Sequence, residues 1–155
     1  MRVAMFGILG VYNYGCEAII RGTEKIIHNK YPDAEIDYIS MSCSEDRKRL
    51  AGCNVNVIPD FPNRVIYYVK SGMNYIERNA LQKIPGYKRF AFKLKYSWIK
   101  NYDVVLSIGG DIYTVGHSAG ADGPFYLNVI DMAETAKAKK VPVVIWGASI
   151  GPFEK

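Results

Sequence analysis

Three glycine-rich loops are the parts of this 155-residue chain best suited to hold a ligand. Each follows an apolar run: Gly10-Val-Tyr-Asn-Tyr-Gly15, Gly109-Gly-Asp-Ile-Tyr113 and Gly147-Ala-Ser-Ile-Gly151. Glycine lets a backbone approach a ligand closely, and parallel sheets bind ligands beyond the carboxyl ends of their strands. The first loop is neither a dinucleotide fingerprint nor a P-loop, because its glycines stand at 7, 10 and 15 and Cys16 follows them.

Asp111 is the candidate catalytic residue of the second loop. It follows Gly109 and Gly110 at the end of an apolar run, where a ligand crevice is expected. A carboxylate at this point can accept the proton of a sugar hydroxyl, or hold that hydroxyl by a hydrogen bond. The competing interpretation is that Asp111 only caps the turn that follows it.

Histidine and serine side chains add polar groups to the region of the second and third loops. His117 lies in a loop long enough to cover a substrate, although most loop histidines are simply solvated. Ser149 lacks the G-x-S-x-G pattern of a nucleophile elbow, so we interpret it as a hydrogen-bond donor in a turn. The predicted substrate-binding residues here are Gly109, Gly110, His117, Gly147, Ser149 and Gly151.

The first loop predicts a helix start that attracts anions. Asn13 is placed to cap a helix opened by Gly15, and such helix ends bind phosphate or carboxylate through their N–H groups and the helix dipole. Glu17, in the first turn, either faces the substrate or stabilises the dipole itself. With Tyr14, these residues form the predicted binding set of the first loop.

The elements that position these loops follow from the hydrophobic pattern. Apolar runs at 2–8, 35–40, 55–58, 103–108 and 141–146 predict five strands, and helical spacing at 15–28, 44–48, 63–80, 87–100 and 124–140 predicts the helices between them. In the first helix, the predicted apolar face includes Ile26 and Ile27. Because the strands are apolar throughout, we predict an α/β fold with a Rossmann-like, doubly wound parallel sheet of strand order 3-2-1-4-5. The three loops then share one edge.

The bulk composition predicts one soluble domain. A chain with 49% hydrophobic and 23% charged residues can build a core, and no apolar run approaches a membrane span. The start lacks the features of a signal peptide, so we expect a cytoplasmic protein. The three cysteines have no C-x-x-C spacing, which indicates neither disulfides nor a zinc site, and we expect no metal or cofactor.

The positive charge is concentrated in residues 61–102. This segment has nine Lys or Arg against Glu77, a balance of +8, whereas the rest of the chain has 11 basic and 14 acidic residues, a balance of −3. On the predicted helix 87–100, Trp98 falls on the core face, and Tyr96 and Ile99 fall on a second face beside lysines. That second face suits an anionic membrane surface, and it equally suits packing against another domain or a second copy of the chain. No nucleic-acid motif accompanies it, so we predict no nucleic-acid partner.

Three motifs in order resemble the polysaccharide pyruvyl transferase family: Asn13-Tyr-Gly-Cys-Glu-Ala-Ile19, Asp103-Val-Val-Leu-Ser-Ile-Gly-Gly-Asp111 and Val144-Ile-Trp-Gly-Ala-Ser-Ile-Gly-Pro-Phe153. The resemblance implies a GT-B-like architecture of two Rossmann-like domains facing each other across a cleft. On this interpretation residues 1–155 are the amino-terminal, acceptor-side domain, and the carboxyl-terminal domain is absent from this chain.

The resemblance also implies a reaction. The enolpyruvyl group of phosphoenolpyruvate is transferred to two hydroxyls of a cell-surface polysaccharide sugar, leaving a cyclic ketal and phosphate. Asp111 is expected to accept the acceptor proton, the fragment alone is expected to be inactive, and a lipid-linked acceptor would place the protein at the inner face of the membrane. The alternatives are a flavodoxin-like module that binds a small molecule or nucleotide without catalysis, and a related glycosyltransferase.

Overall fold

The computed structural model describes residues 1–60, 64–86, 96–110 and 124–147. Its strands are β1 (Arg2–Phe6), β2 (Glu35–Ser40), β3 (Asn56–Pro59), β4 (Val104–Ile108) and β5 (Val143–Trp146). Its helices are α1 (Tyr14–Lys30), α2 (Cys43–Arg49), α3 (Arg64–Asn79) and α4 (Pro124–Ala138), with 3₁₀ turns at Leu81–Lys83 and Ser97–Asn101. The strands form one parallel sheet of order β3-β2-β1-β4-β5, which confirms the predicted parallel α/β sheet and its order.

The two faces of the sheet have separate cores, because successive side chains of a strand point to opposite faces. Met5 of β1 belongs to the core shared with α1, alongside Ile20 and Ile27. Its neighbour Phe6 belongs to the core on the other face. That core also contains Ile99 of the 3₁₀ turn Ser97–Asn101 and Met132 of α4. Helices therefore cover both faces, as a doubly wound sheet requires.

Helix α1 packs on the sheet through a face slightly different from the predicted one. Its buried residues are Ile20, Thr23 and Ile27. The prediction that Ile26 joins this face is wrong, because its side chain is 55% exposed. Helix α2 begins at Cys43, one residue before the predicted start, with Ser42 in the position that precedes its first turn.

The α-helical spacing predicted for residues up to 100 is also wrong for residues 96–100. Residues 87–95 of the predicted helix lie outside the described residues, and from Ser97 the chain forms a 3₁₀ turn. A 3₁₀ turn has three residues per turn, so positions three apart share one side. Tyr96, Ile99 and Tyr102 are accordingly all buried, with exposures of 3%, 0% and 7%. The predicted exposed face of Tyr96 and Ile99 is therefore part of the core.

Helix α3 connects to the sheet differently from α1. It ends at Asn79 and is followed by the 3₁₀ turn Leu81–Lys83, against which it packs. In the described parts of the chain, no helix has the length and apolar character needed to cross a membrane.

Candidate functional site

Three neighbouring strands end in glycines that have positive φ angles. Gly7 follows β1, Gly109 follows β4 and Gly147 follows β5, with φ values of 129°, 145° and 65°. Side chains strongly disfavour this region of backbone conformation, which explains why glycine ends each strand. Because Ile108 pairs with Trp146, Gly109 and Gly147 stand level on adjacent strands. The glycine loops therefore begin at one edge of the sheet, as predicted.

The backbone that leads into the first loop is held at three points by residues of β2, α2 and the turn between them. The Tyr38 hydroxyl donates to the carbonyl of Ile8 at 3.0 Å. The Met41 N–H donates to the carbonyl of Leu9 at 2.9 Å. The Val11 N–H donates to Oδ1 of Asp46, also at 2.9 Å. These bonds fix the path of the loop before the chain reaches α1.

Asp46 is the buried carboxylate beneath this loop, with 1% of its surface exposed. Its second oxygen, Oδ2, accepts a hydrogen bond from Ser40 Oγ at 2.6 Å. Burial, followed by the nearby charge of Asp46, raises the pKa of Tyr38, so its hydroxyl stays protonated and able to donate. The sequence analysis missed Asp46, because it lies among charged residues of α2 and its partner Val11 is 35 positions away.

Asn13 caps the amino terminus of α1, as predicted. Its Oδ1 accepts from the Cys16 N–H at 2.9 Å. The first N–H groups of a helix have no partner within the helix, and those of Tyr14 and Gly15 stand ahead of the capped one at the open end. A Cβ at Gly15 would lie 3.2 Å from Asn13 Oδ1, so glycine keeps this cap uncrowded. The helix end can therefore donate to an anion or a carbonyl oxygen.

Glu17 makes an ion pair with Arg21 one helical turn later, with Oε1 and Nε 2.8 Å apart. The same guanidinium donates through Nη2 to the carbonyl of Arg49, at the end of α2, at 2.7 Å. Glu17 thus helps Arg21 to join α1 to α2, and its negative charge is partly balanced. A direct contact between Glu17 and substrate stays a prediction.

Two tyrosines flank the helix start and extend into solvent. Tyr12 is 66% exposed and Tyr14 is 87% exposed. The Tyr12 ring lies over Gly10, because a Cβ there would come within 2.6 Å of its Cζ. The sequence analysis included Tyr14 and missed Tyr12, although the repeated Tyr-Asn-Tyr pattern was the available signal. Exposed aromatic rings with polar tips suit the flat, hydroxyl-rich surface of a sugar.

The end of β5 is fastened to α1. Trp146 Nε1 donates to Thr23 Oγ1 at 3.0 Å, and Thr23 is buried. Beyond this contact, a Cβ built on Gly110 or Gly147 would meet no atom of the described residues within 4 Å. Among the described residues, nothing crowds the ends of β4 and β5 where the second and third loops begin.

Four of the predicted site residues, Asp111, His117, Ser149 and Gly151, lie outside the described residues. Asp111 directly follows Gly110, and Ser149 is two residues beyond Gly147. Their roles stay predictions that rest on their sequence positions next to this edge.

The other face of the same edge holds a carboxylate that the sequence analysis missed. Asp60 directly follows β3, is 3% exposed, and donates its N–H to the carbonyl of Ser40 at 3.0 Å. Burial, and then the charges of Asp60 and Asp131, raise the pKa of Tyr96. Asp111 was predicted from its place after a strand and two glycines, whereas Asp60 follows its strand without any glycine and so lacked that signal.

A cavity of about 460 Å³ lies at the opposite edge of the sheet, between the end of α2 and the start of β3. Arg47 borders it and donates through Nη2 to the carbonyl of Val57 at 2.9 Å. Parallel sheets bind ligands at the carboxyl ends of the strands, so we do not assign this cavity to the site.

Comparison with known proteins assigns a family to most of the chain. The family model for polysaccharide pyruvyl transferase matches residues 13–155, beginning at the residue that caps α1 and including the ends of β4 and β5. No curated protein and no solved structure matches the chain. The family match covers most of the sequence and confirms the resemblance that its motifs indicated. The chain belongs to the polysaccharide pyruvyl transferase family.

Proposed function

We propose that this chain is the acceptor-side domain of an enzyme that transfers pyruvate from phosphoenolpyruvate to a cell-surface saccharide as a ketal. The observation that carries the proposal is the family match over residues 13–155, a range that contains the capped start of α1 and the ends of β4 and β5. The match supports a transferase of this family, and the identity of the donor and of the saccharide is part of the proposal.

The proposed reaction balances without an oxidant or reductant. One saccharide hydroxyl adds to carbon 2 of the enolpyruvyl group and loses its proton, while carbon 3 gains a proton. A second hydroxyl then bonds to the same carbon as the bond to the phosphate oxygen breaks, and its proton leaves with phosphate. The site needs a proton acceptor near the sugar hydroxyl and a proton donor near carbon 3.

In this scheme Asp111 accepts the proton of the attacking hydroxyl. Its place after Gly110, just beyond the end of β4, supports the assignment, because parallel sheets bind ligands beyond the carboxyl ends of their strands. His117, Ser149 and Gly151 would line the same side of the acceptor. The N–H groups of Tyr14 and Gly15 would donate to the carboxylate of the donor as it reaches the acceptor.

Tyr12 and Tyr14 would hold the acceptor sugar. Their exposure and their position on either side of the helix cap support this role, because a ring can pack on a sugar face while its hydroxyl bonds to water or to the sugar. The proposed architecture is GT-B-like, with a second domain across the edge supplying the basic residues and the proton donor of the donor site.

The test is a transfer assay with protein that carries both proposed domains, phosphoenolpyruvate and a panel of oligosaccharides, following phosphate release and ketal formation. Asp111→Asn should lower kcat by about 10²-fold, the usual scale for a positioned base. Asp103→Asn is the matched control, because Asp103 lies at the other end of the same strand and accepts from the Arg2 N–H at 2.7 Å. Asp111→Asn activity within a few fold of wild type would assign Asp111 to turn capping.

A second assay addresses the acceptor. Tyr12→Ala and Tyr14→Ala should each raise KM for the saccharide by about 5-fold with little change in kcat, because stacking contributes roughly 1 kcal/mol. Tyr31→Ala is the control, since Tyr31 is 47% exposed at the far end of α1. Saccharide binding without any phosphate release would favour a binding module over a transferase.

A further inference from the structure

The apolar side chains that the structure describes on helix α3 are exposed. The side chains of Tyr68, Val69, Met73, Tyr75 and Ile76 are all exposed, with Tyr68 at 68% and Ile76 at 56%. At 100° per residue these positions occupy an arc of about 160° on one side of the helix. Glu77, about 40° beyond Met73 at the edge of this arc, is only 7% exposed. The usual arrangement, with apolar residues inward and acids outward, is therefore reversed at these positions.

The charge around α3 indicates what the apolar face contacts. The helix contains Arg64, Lys70 and Arg78 against Glu77. It belongs to the segment 61–102, whose balance is +8 while the rest of the chain has −3. If two copies met through this face, two strongly basic segments would be brought together, which electrostatic repulsion disfavours. A surface of opposite charge that also accepts apolar side chains fits better.

We infer that α3 lies on an anionic lipid bilayer, with its exposed apolar side chains at the boundary between headgroups and acyl chains. Amphipathic helices with basic residues and an aromatic and aliphatic face bind membranes in this way. The rings of Tyr68 and Tyr75 suit that depth, because each combines an apolar body with a polar tip. Basic residues close to the surface add attraction to anionic headgroups.

The proposed membrane contact lies on α3, which is a different part of the basic segment 61–102 from the one that the sequence predicted. The sequence placed it on the predicted helix 87–100, where Tyr96 and Ile99 are instead buried in the core. On α3 the apolar side chains are exposed, and they stand on a helix distinct from the strand ends of the proposed reaction site. The inference therefore does not depend on the proposed reaction, and either can fail without the other.

The experiment is flotation of the chain with vesicles of phosphatidylcholine alone and of equal parts phosphatidylcholine and phosphatidylglycerol. The chain should bind the anionic vesicles at low salt, bind the neutral ones much less, and be released as salt rises and screens the attraction. Ile76→Glu should lower partitioning by about 10-fold or more, because an apolar contact is lost and a repelled charge is added. Ile26→Glu is the matched control, since Ile26 on α1 is equally exposed at 55%.

Lys83→Ser provides a second variant that leaves the apolar face intact. Lys83 is exposed at the end of the 3₁₀ turn after α3, and its loss should weaken binding about 5-fold, the effect of one basic residue near an anionic surface. Absence of binding at low salt, equal binding to neutral vesicles, or equal losses in Ile76→Glu and Ile26→Glu would overturn the inference. A stable dimer in sedimentation velocity that Ile76→Glu dissociates would assign the face to a second copy instead.

Discussion

Helices α1 and α3 both carry amphipathic sequences, and they use them in opposite ways. Helix α1 buries Ile20, Thr23 and Ile27 against the sheet and leaves Ile26 as an exposed apolar residue. Helix α3 buries Glu77, and the apolar side chains that the structure describes on it are exposed. An amphipathic pattern therefore predicts that a helix has an apolar side, but not what that side contacts.

The two helices differ in the specific contacts that each makes with neighbouring elements. On α1, Arg21 reaches the end of α2 and Thr23 receives the Trp146 hydrogen bond. These contacts favour one rotation of α1 about its axis, whereas its cap lies near the carboxyl ends of the strands because α1 follows β1 through the first loop. Helix α3 packs against the 3₁₀ turn that follows it, and the apolar side chains described on it are exposed. The two helices therefore differ in whether their apolar side faces the rest of the protein.

The strongest test of this comparison is truncation of one isoleucine on each helix. Ile20→Ala should lower the free energy of unfolding by about 3 kcal/mol, because Ile20 is fully buried and a cavity would remain. Ile76→Ala should change it by no more than about 0.5 kcal/mol, as for other exposed positions. Both are measured by urea denaturation. Equal destabilisation by the two changes would show that the apolar side of α3 packs within the protein.

The next largest effect should come from the carboxylate that holds the first loop. Asp46→Ala should destabilise the protein by about 2 to 3 kcal/mol, because the Val11 N–H and the Ser40 hydroxyl lose a buried acceptor. Glu45→Ala is the neighbouring control, since Glu45 makes an exposed ion pair with Lys48 whose loss should cost less than about 1 kcal/mol. If the Asp46 and Glu45 variants unfold at the same urea concentration, Asp46 does not fix the loop.

A smaller effect is expected where β5 meets α1. Trp146→Phe keeps an aromatic ring and removes the donor to Thr23, so it should cost about 1 kcal/mol. Thr23→Val removes the other partner of the same bond. If this bond sets the rotation of α1, the double variant should cost much less than the sum of the two single changes. Additive costs would show that Trp146 and Thr23 are not energetically coupled.

The smallest effect should depend on pH. His28 Nδ1 lies 2.7 Å from Glu24 Oε1 and Nε2 lies 3.0 Å from the Ala34 carbonyl, so both ring nitrogens face acceptors. The Ala34 carbonyl and then Glu24 raise the pKa of His28 above its ordinary 6.5, against the opposing effect of burial. A raised pKa stabilises the fold fully below pH 6.5, and this contribution is lost as the pH rises through the raised pKa.

His28→Gln should therefore destabilise the protein by about 1 kcal/mol at pH 5.5 and by less at pH 9. Thermal unfolding of the two proteins across this range is the measurement. A difference in stability that grows as the pH rises would mean that the neutral imidazole is the stabilising form.

The sequence predicted what depends on local pattern and on general rules of topology. Apolar runs gave the strands, the rules for parallel connections gave their order, and the Asn13 cap required only residues three positions apart. It could not predict Asp46, whose role depends on a partner 35 positions away. It also missed the burial of Ile99, because a 3₁₀ turn changes the spacing of residues that share a side.

The most direct test of the proposed site is an amide NMR titration of the chain with methyl glycosides of glucose, galactose and mannose. Acceptor binding at the carboxyl edge predicts shifts for Tyr12, Gly15, Gly109 and Gly147, with α3 unchanged. Tyr12→Ala should reduce those shifts at the same sugar concentration, and Tyr31→Ala should not. Shifts centred on Arg47 and Val57 at the opposite edge, or no shift with any of these sugars, would contradict the assignment of this edge to the saccharide.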